Sequence, residues 1–357
     1  MNLGYQGGKR RRKYFYGKTR VEVQEKLTAA LRNRQLGLPV SNDKITFGQF
    51  LDRWLEESVK PSVRPSTLDR YTRDVRLHIK PDLGNTRLSK LSVQDIQTLI
   101  NKKQKTGCSP NTIRHFHAVI RKALNVACKW ELVSRNVATL ADRPRVPHFE
   151  IQPLSPEQAR AFLKAIRGNK LEAFYTVAVA LGLRRGEALA LRWEDINLEA
   201  GELRVRHTLQ ILKGGGWNLA EPKSRNSRRT LHLPKFAVQV LKDHRQLQLK
   251  ERMAKGKLWQ DLDFVFTSEI GTPLDGNNVY KLYKQLLRGN ELPDIRFHDL
   301  RHTAGTLLLV QGVHPRIAME TLGHSQISLT MNTYSHVSSE LQKEAAEKME
   351  AILTGGN

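Results

Sequence analysis

ALGLRRGEALALRW, residues 180–193, runs a stretch of small apolar residues into Gly182 and then presents Arg184, Arg185 and Glu187. Three positions separate Arg184 from Glu187, so on a helix the carboxylate shares a face with the guanidinium and can hold it rigid. Alone, the pair reads equally well as an ordinary surface ion pair. What decides between the two is whether other parts of the chain carry groups suited to the same anion.

Two later stretches do. FHDLRHT, residues 297–303, places His298 three positions from Arg301 and four from His302, all within reach on one helical face. A His pair at that spacing could bind zinc, but the metalloprotease pattern needs a glutamate directly after the first histidine, and Asp299 stands there. A histidine beside an arginine suits a phosphate better. LGHSQISLTMNTYSHV, residues 322–337, has Gly323 for a tight turn, then His324, then Tyr334. The hydroxyls of Thr333, Tyr334, Ser335, Ser338 and Ser339 crowd around His336, and this segment alone does not say which of them reacts.

The whole chain favours a polyanion as partner. Its 357 residues carry a formal charge of +24, an excess that opposes compaction and attracts nucleic acid before a membrane surface or an acidic protein. The length suggests two or three domains. Cys108 and Cys128 are the only cysteines, which excludes a disulfide framework and a cysteine-rich zinc site. No apolar run approaches the ~20 residues that span a bilayer, and no hydrophobic stretch follows the basic N-terminus, so a cytoplasmic protein without membrane contact is expected.

Along the chain, GGKRRRKYFYGKT reads as a basic strand interleaved with Tyr14, Phe15 and Tyr16, followed by a helix over 20–36. Lys9, Arg10, Arg11, Arg12 and Lys13 suit phosphate contacts, although a solvated basic tail has the same composition. From Thr46 to Ala138 the periodicity is helical, with Ser66, Ser92 and Ser109 as candidate N-caps. The polar faces there carry Arg70, Arg73, Arg114, Arg121 and Lys122 as candidate DNA contacts. ADRPRVPHFEIQP, residues 141–153, reads as a linker. Ser155, Pro156 and Gln158 then open a helix, and another spans roughly 171–183. Alternating segments at 202–212 and 228–233 flank Gly214–Gly216 and predict a small antiparallel sheet.

In this order the residues resemble the tyrosine recombinases of the phage and conjugative-transposon integrase type, over nearly the whole chain. The family's catalytic order is Arg, a β-hairpin Lys, His-x-x-Arg, a second His or Trp, and Tyr. This sequence has Arg184 in GLRRGE, Lys223 in PKSRNSRRTLHLP, His298 and Arg301 in HDLRH, His324 in LGH and Tyr334 in NTYSH. Arg225, Arg228 and Arg229 crowd the same hairpin as Lys223. The resemblance implies an α+β, mainly helical fold: an integrase-type catalytic domain of helices plus a small antiparallel sheet. An all-α SAM-like core-binding domain and a short basic β-rich N-terminal module would precede it. The expected divisions are a truncated arm-type module at 1–40, the core-binding domain at 44–142, a linker at 143–153, the catalytic domain at 154–337 and a tail helix at 338–357. The chain leaves little room for a strand ahead of KRRRKYFYG, where the family has a three-stranded sheet.

The implied reaction is site-specific breaking and rejoining of DNA through a 3′-phosphotyrosine, without metal, ATP or another cofactor. A phenol of pKa ~10 leaves more readily than an alkyl hydroxyl, which keeps the exchange reversible. Arg184 and Arg301 would hold the nonbridging oxygens, His298 and His324 would add hydrogen bonds, and Lys223 would protonate the departing 5′ oxygen. Glu187 would buttress Arg184. Tyr334 is then the expected nucleophile. The expected partners are duplex attachment sites and a homotetramer, with room for a directionality or bending factor. Leu341, Ala345, Met349 and Ile352 form an apolar stripe suited to docking on a neighbouring protomer or on its own domain. Two other readings stay open: a DNA-binding regulator of the same fold without catalysis, and a metal-dependent hydrolase.

Overall fold

A computed structural model describes residues 2–6, 9–12, 14–35, 45–147, 152–211, 216–222 and 227–323, with positions 346, 349–350 and 353–354 near the C-terminus. The chain divides into two compact units, Met1–His148 and Phe149–Asn357.

In the first unit, β1 (Asn2–Gln6) pairs antiparallel with β2 (Lys9–Arg12), and Gln6 lies opposite Lys9. A strand therefore does precede the basic one, where little room for it was expected. A strand needs only about five residues, and the N-terminal segment is just long enough. The aromatics also fall elsewhere: Tyr14 and Tyr16 follow the end of β2 and are exposed, so cations and rings do not alternate along one strand. Helix α1 (Arg20–Gln35) comes next.

α2 (Phe47–Trp54) begins at a capping box between Thr46 and Gln49, and its apolar residues Phe47, Phe50, Leu51 and Trp54 recur at helical spacing and are all buried. Its last turn widens over Leu55–Val59, where the Lys60 N–H donates to Leu55 O five residues back. α3 (Pro65–Asp74) widens in the same way over Val75–Ile79 before the short α4 (Lys80–Leu83). Ser66 is not its cap. Arg64 occupies that position, because Pro65 already has the φ of a first helical residue and lacks the N–H that a cap would satisfy. α5 (Val93–Lys105) starts at a Ser92–Asp95 box and α6 (Pro110–Lys129) at Ser109. Trp54 stacks on Tyr71 at 5.9 Å, tying α2 to α3.

In the second unit, α7 (Pro156–Ala165) follows the Ser155–Gln158 box, and α8 (Glu172–Leu181) is apolar nearly all round and buried at its centre. α9 (Arg185–Leu189) leads to a three-stranded antiparallel sheet ordered β3 (Ile196–Asn197), β4 (Glu202–Val205), β7 (Arg229–His232). The strands between them, β5 (Thr208–Ile211) and β6 (Trp217–Ala220), form a separate two-stranded ribbon, so the expected single sheet is two. Then follow α10 (Lys235–Lys255), α11 (Gly276–Gly289), α12 (Asp299–Val310) and α13 (Pro315–Leu322). Phe162, Phe174, Tyr175, Phe266, Tyr283 and Phe297 pack edge-on or tilted around α8 and fill the core.

Candidate active site

The site is assembled where α8 and α13 end. Both stop at a left-handed glycine, Gly182 (φ 59°) and Gly323 (φ 66°), and each glycine carbonyl accepts from an arginine. Arg301 Nη1 donates to Gly182 O at 2.8 Å, and Arg184 Nη2 donates to Gly323 O at 3.2 Å. Carbonyls at helix C-termini carry partial negative charge, so they suit guanidinium groups. Space explains Gly182 as well as backbone. A Cβ there would overlap Leu322 Cδ2 and lie 3.2 Å from Ala304 Cβ, so α8, α12 and α13 meet at a point no side chain can occupy.

Glu187 organises the first arginine. Its buried carboxylate accepts from Arg184 Nη1 at 2.5 Å, from the Arg184 backbone N–H at 3.1 Å and from Arg229 Nη2 at 3.1 Å. Burial is the largest single influence on Glu187 and raises its pKa. The charges of Arg229 and Arg184, with the hydrogen bonds from Arg184, together outweigh burial and hold the carboxyl below its ordinary value. The Arg184 side chain keeps 37% of its surface exposed while Glu187 is sealed beneath it, an arrangement that fixes one end of the guanidinium and leaves the rest available. Arg185 turns elsewhere and donates to Gly276 O at the start of α11. The resemblance chose Arg184 over its neighbour, and the tertiary contacts send the two arginines to different partners.

Arg301 is 1% exposed, held from below by α8. His298 precedes α12 and is exposed. Crowding by surrounding protein is the largest influence lowering its pKa; Arg301 and Arg184 lower it further and Asp299 opposes them. The imidazole is therefore neutral at neutral pH and able to accept a proton. His302 meets His298 edge to face at 5.1 Å, and burial, then His298, pushes its pKa down to about 4. Asp299, at the position the metal reading would need as a general base, gives its carboxylate to Arg296, with bonds of 2.8 Å from the backbone N–H and from Nη2. Thr303 Oγ1 accepts from Leu154 N–H, which anchors the start of the unit to α12.

Lys223, His324 and Tyr334 lie outside the described residues, as do His336, Lys13 and, of the tail stripe, Leu341, Ala345 and Ile352, while Met349 is exposed. Of the hairpin arginines that compete with Lys223, Arg228 pairs with Glu221, and Arg229 is buried against Glu187. No motif in the sequence marks Arg229, although its strand carries a signal. Leu231 faces the core, and residue i−2 on a strand shares that face.

In the first unit, Lys9 to Arg12 lie along β2. Arg70, Arg73, Arg114, Arg121 and Lys122 are exposed. α3 and α6 bring several of them together: Lys122 Nζ sits 5.3 Å from the Tyr71 ring centre, and Arg70 and Arg73 flank the buried Asp74, which His115 meets at 3.0 Å. No helix among the described residues is long and apolar enough to cross a membrane.

Residues 152–340 match the Phage integrase family, and residues 46–104 match its N-terminal SAM-like domain. A tyrosine recombinase XerC-like protein of Caldanaerobacter subterraneus subsp. tengcongensis is 33% identical, over 96% of this chain and 93% of its own. An integrase of Streptomyces ambofaciens is 30% identical over 99% and 93%. Among solved structures, the Tn1549 transposon integrase in complex with circular intermediate DNA aligns with a TM-score of 0.71 at 20% identity, covering 84% of this chain and 99% of that one. A lambda integrase tetramer bound to a Holliday junction aligns with a TM-score of 0.60 at 17% identity, over 91% and 89%. With more than half its length in the family match and close relatives along nearly all of it, the chain belongs to the phage integrase family, the tyrosine recombinases that break and rejoin DNA at specific sites.

Proposed function

We propose that this chain is a site-specific recombinase in which Tyr334 attacks the scissile phosphate while Arg184 and Arg301 hold its nonbridging oxygens. The observation that carries this reading is the pair of guanidiniums anchored on glycine carbonyls of α8 and α13, with the neutral His298 influenced by both. Such anchoring positions the donors before charge develops on the phosphate, so little reorganisation accompanies the reaction. In the cleavage step the tyrosine oxygen forms a bond to phosphorus as the bond to the 5′ oxygen breaks. His298 takes the phenolic proton, and Lys223 gives one to the departing 5′ oxygen. His324 adds a hydrogen bond at the phosphate. Tyr175 and Tyr283 are poor alternatives to Tyr334, because both are sealed in the core, where burial pushes their phenols up.

The cations of β2 and of the α3–α6 face would bind duplex DNA, and four copies would act on two sites, as the relatives' assemblies suggest. The residue spans 1–40, 44–142 and 154–337 would serve as arm-type, core-binding and catalytic modules, with 338–357 as a tail. A nicked duplex built from the DNA flanking the gene tests the reading. Incubated in EDTA, the protein should leave a denaturant-resistant adduct that Tyr334→Phe abolishes and Ser335→Ala retains. Tight binding with no adduct would favour a regulator, and loss of cleavage on chelation a hydrolase.

A further inference from the structure

Arg229 lies at a junction that the reaction scheme does not use. Its side chain is 7% exposed, and its guanidinium bonds three separate parts of the second unit. Nη2 donates to Glu187 Oε2 at 3.1 Å, Nε to Thr321 O at 2.8 Å, and Nη1 to Ser227 O at 3.1 Å, just ahead of β7. Glu187 in turn fixes Arg184, and Thr321 sits two residues before Gly323, whose carbonyl also receives Arg184. Strand pairing adds rigidity from the other side, since Arg229 lies opposite the buried Val205 at the end of the β4–β7 ladder.

Resting on the proposed recombinase reading, we propose that Arg229 is a positioning residue. It couples the strand that follows the Lys223 segment both to Arg184, through Glu187, and to the turn at the end of α13. The planar guanidinium is what makes this possible: one group donates in three directions, whereas a lysine ammonium on a flexible stem cannot reproduce the fork. Displacement of β7 is therefore transmitted to the phosphate-binding arginine and to the turn from which the chain runs on to His324 and Tyr334. Arg229 touches no DNA in this scheme.

The test is single-turnover adduct formation on the nicked duplex at saturating protein, alongside DNA affinity at several salt concentrations and thermal denaturation of free protein. Arg229→Lys keeps the charge, so affinity and its salt dependence should hold while the rate of adduct formation falls about 10²-fold, the scale expected when a reacting group is misplaced. Guanidinium at non-denaturing concentration should restore part of the rate to Arg229→Ala. Glu187→Gln should slow the reaction as well, and the double variant should lose little more than either single one, because both act through Arg184. A wild-type rate in Arg229→Lys overturns the inference. So do fully additive losses, or a rate loss that parallels loss of binding and thermal stability without rescue. Absence of any adduct in the wild-type protein would instead overturn the recombinase reading itself.

Discussion

At Glu187 two arginines and a backbone N–H converge on one buried carboxylate. Replacing it with glutamine leaves Arg229 as a buried cation without its counter-charge, and loss of one partner from a buried pair costs about 3 kcal/mol. Urea denaturation of Glu187→Gln should show a drop of that order together with slower cleavage. The pH sign follows from the direction of the shift. A carboxyl held below its ordinary value contributes fully above pH 4.5, and the contribution is lost as pH falls through the folded value. His302 acts in the same direction at a higher pH. Its pKa of about 4 lies below the free value of 6.5, so the unfolded chain binds the extra proton between those limits and stability declines as pH falls from 6.5 to 4. His302→Gln should flatten that part of a denaturation-versus-pH curve. Sequence spacing made the Arg184–Glu187 and His298–Arg301 pairs legible. It could not reveal that Arg229 shares Glu187, since positions 187 and 229 lie 42 apart in the chain and meet only in the folded unit.

At the scale of elements, helix ends matter more than helix bodies. The Ser92, Ser109 and Ser155 caps were readable because a cap is a local competition between one side chain and its own next turn. The turn at Gly323 was readable, whereas the left-handed helix end at Gly182 and the use of both carbonyls as arginine acceptors were not, because the donors come from distant elements. Gly182→Ala should be costly on two counts, a non-glycine residue at positive φ and a methyl forced against Leu322 and Ala304. Together these should amount to roughly 2–4 kcal/mol, measurable by chemical denaturation. Cleavage should fall as well, since the carbonyl that holds Arg301 moves with the backbone. The division of the strands into a three-stranded sheet and a separate ribbon was not predictable from alternation, which reports which face is buried and not which strand is the neighbour.

For the whole molecule, the +24 charge sets how binding responds to its surroundings. DNA affinity should fall steeply with salt, and Arg70→Gln or Lys122→Gln should each reduce the log–log slope by about 0.9 if that side chain neutralises one phosphate. A filter-binding titration at several salt concentrations reads this directly, and an unchanged slope would remove the residue from the DNA face. The primary sequence by itself determined the class of partner and the helix-rich fold, and it supplied the ordered candidates Arg184, His298, Arg301, His324 and Tyr334. Charge excess, periodicity and residue type survive in a linear string. Only the tertiary structure sent Arg184 to Gly323 and Arg185 to Gly276 and gave the Asp299 carboxylate to Arg296. It also assigned Arg229 to the interior and anchored both phosphate-binding candidates on glycine carbonyls. The two glycine-carbonyl anchors join groups 119 and 139 positions apart, whose directions exist only after α8, α12 and α13 have packed together.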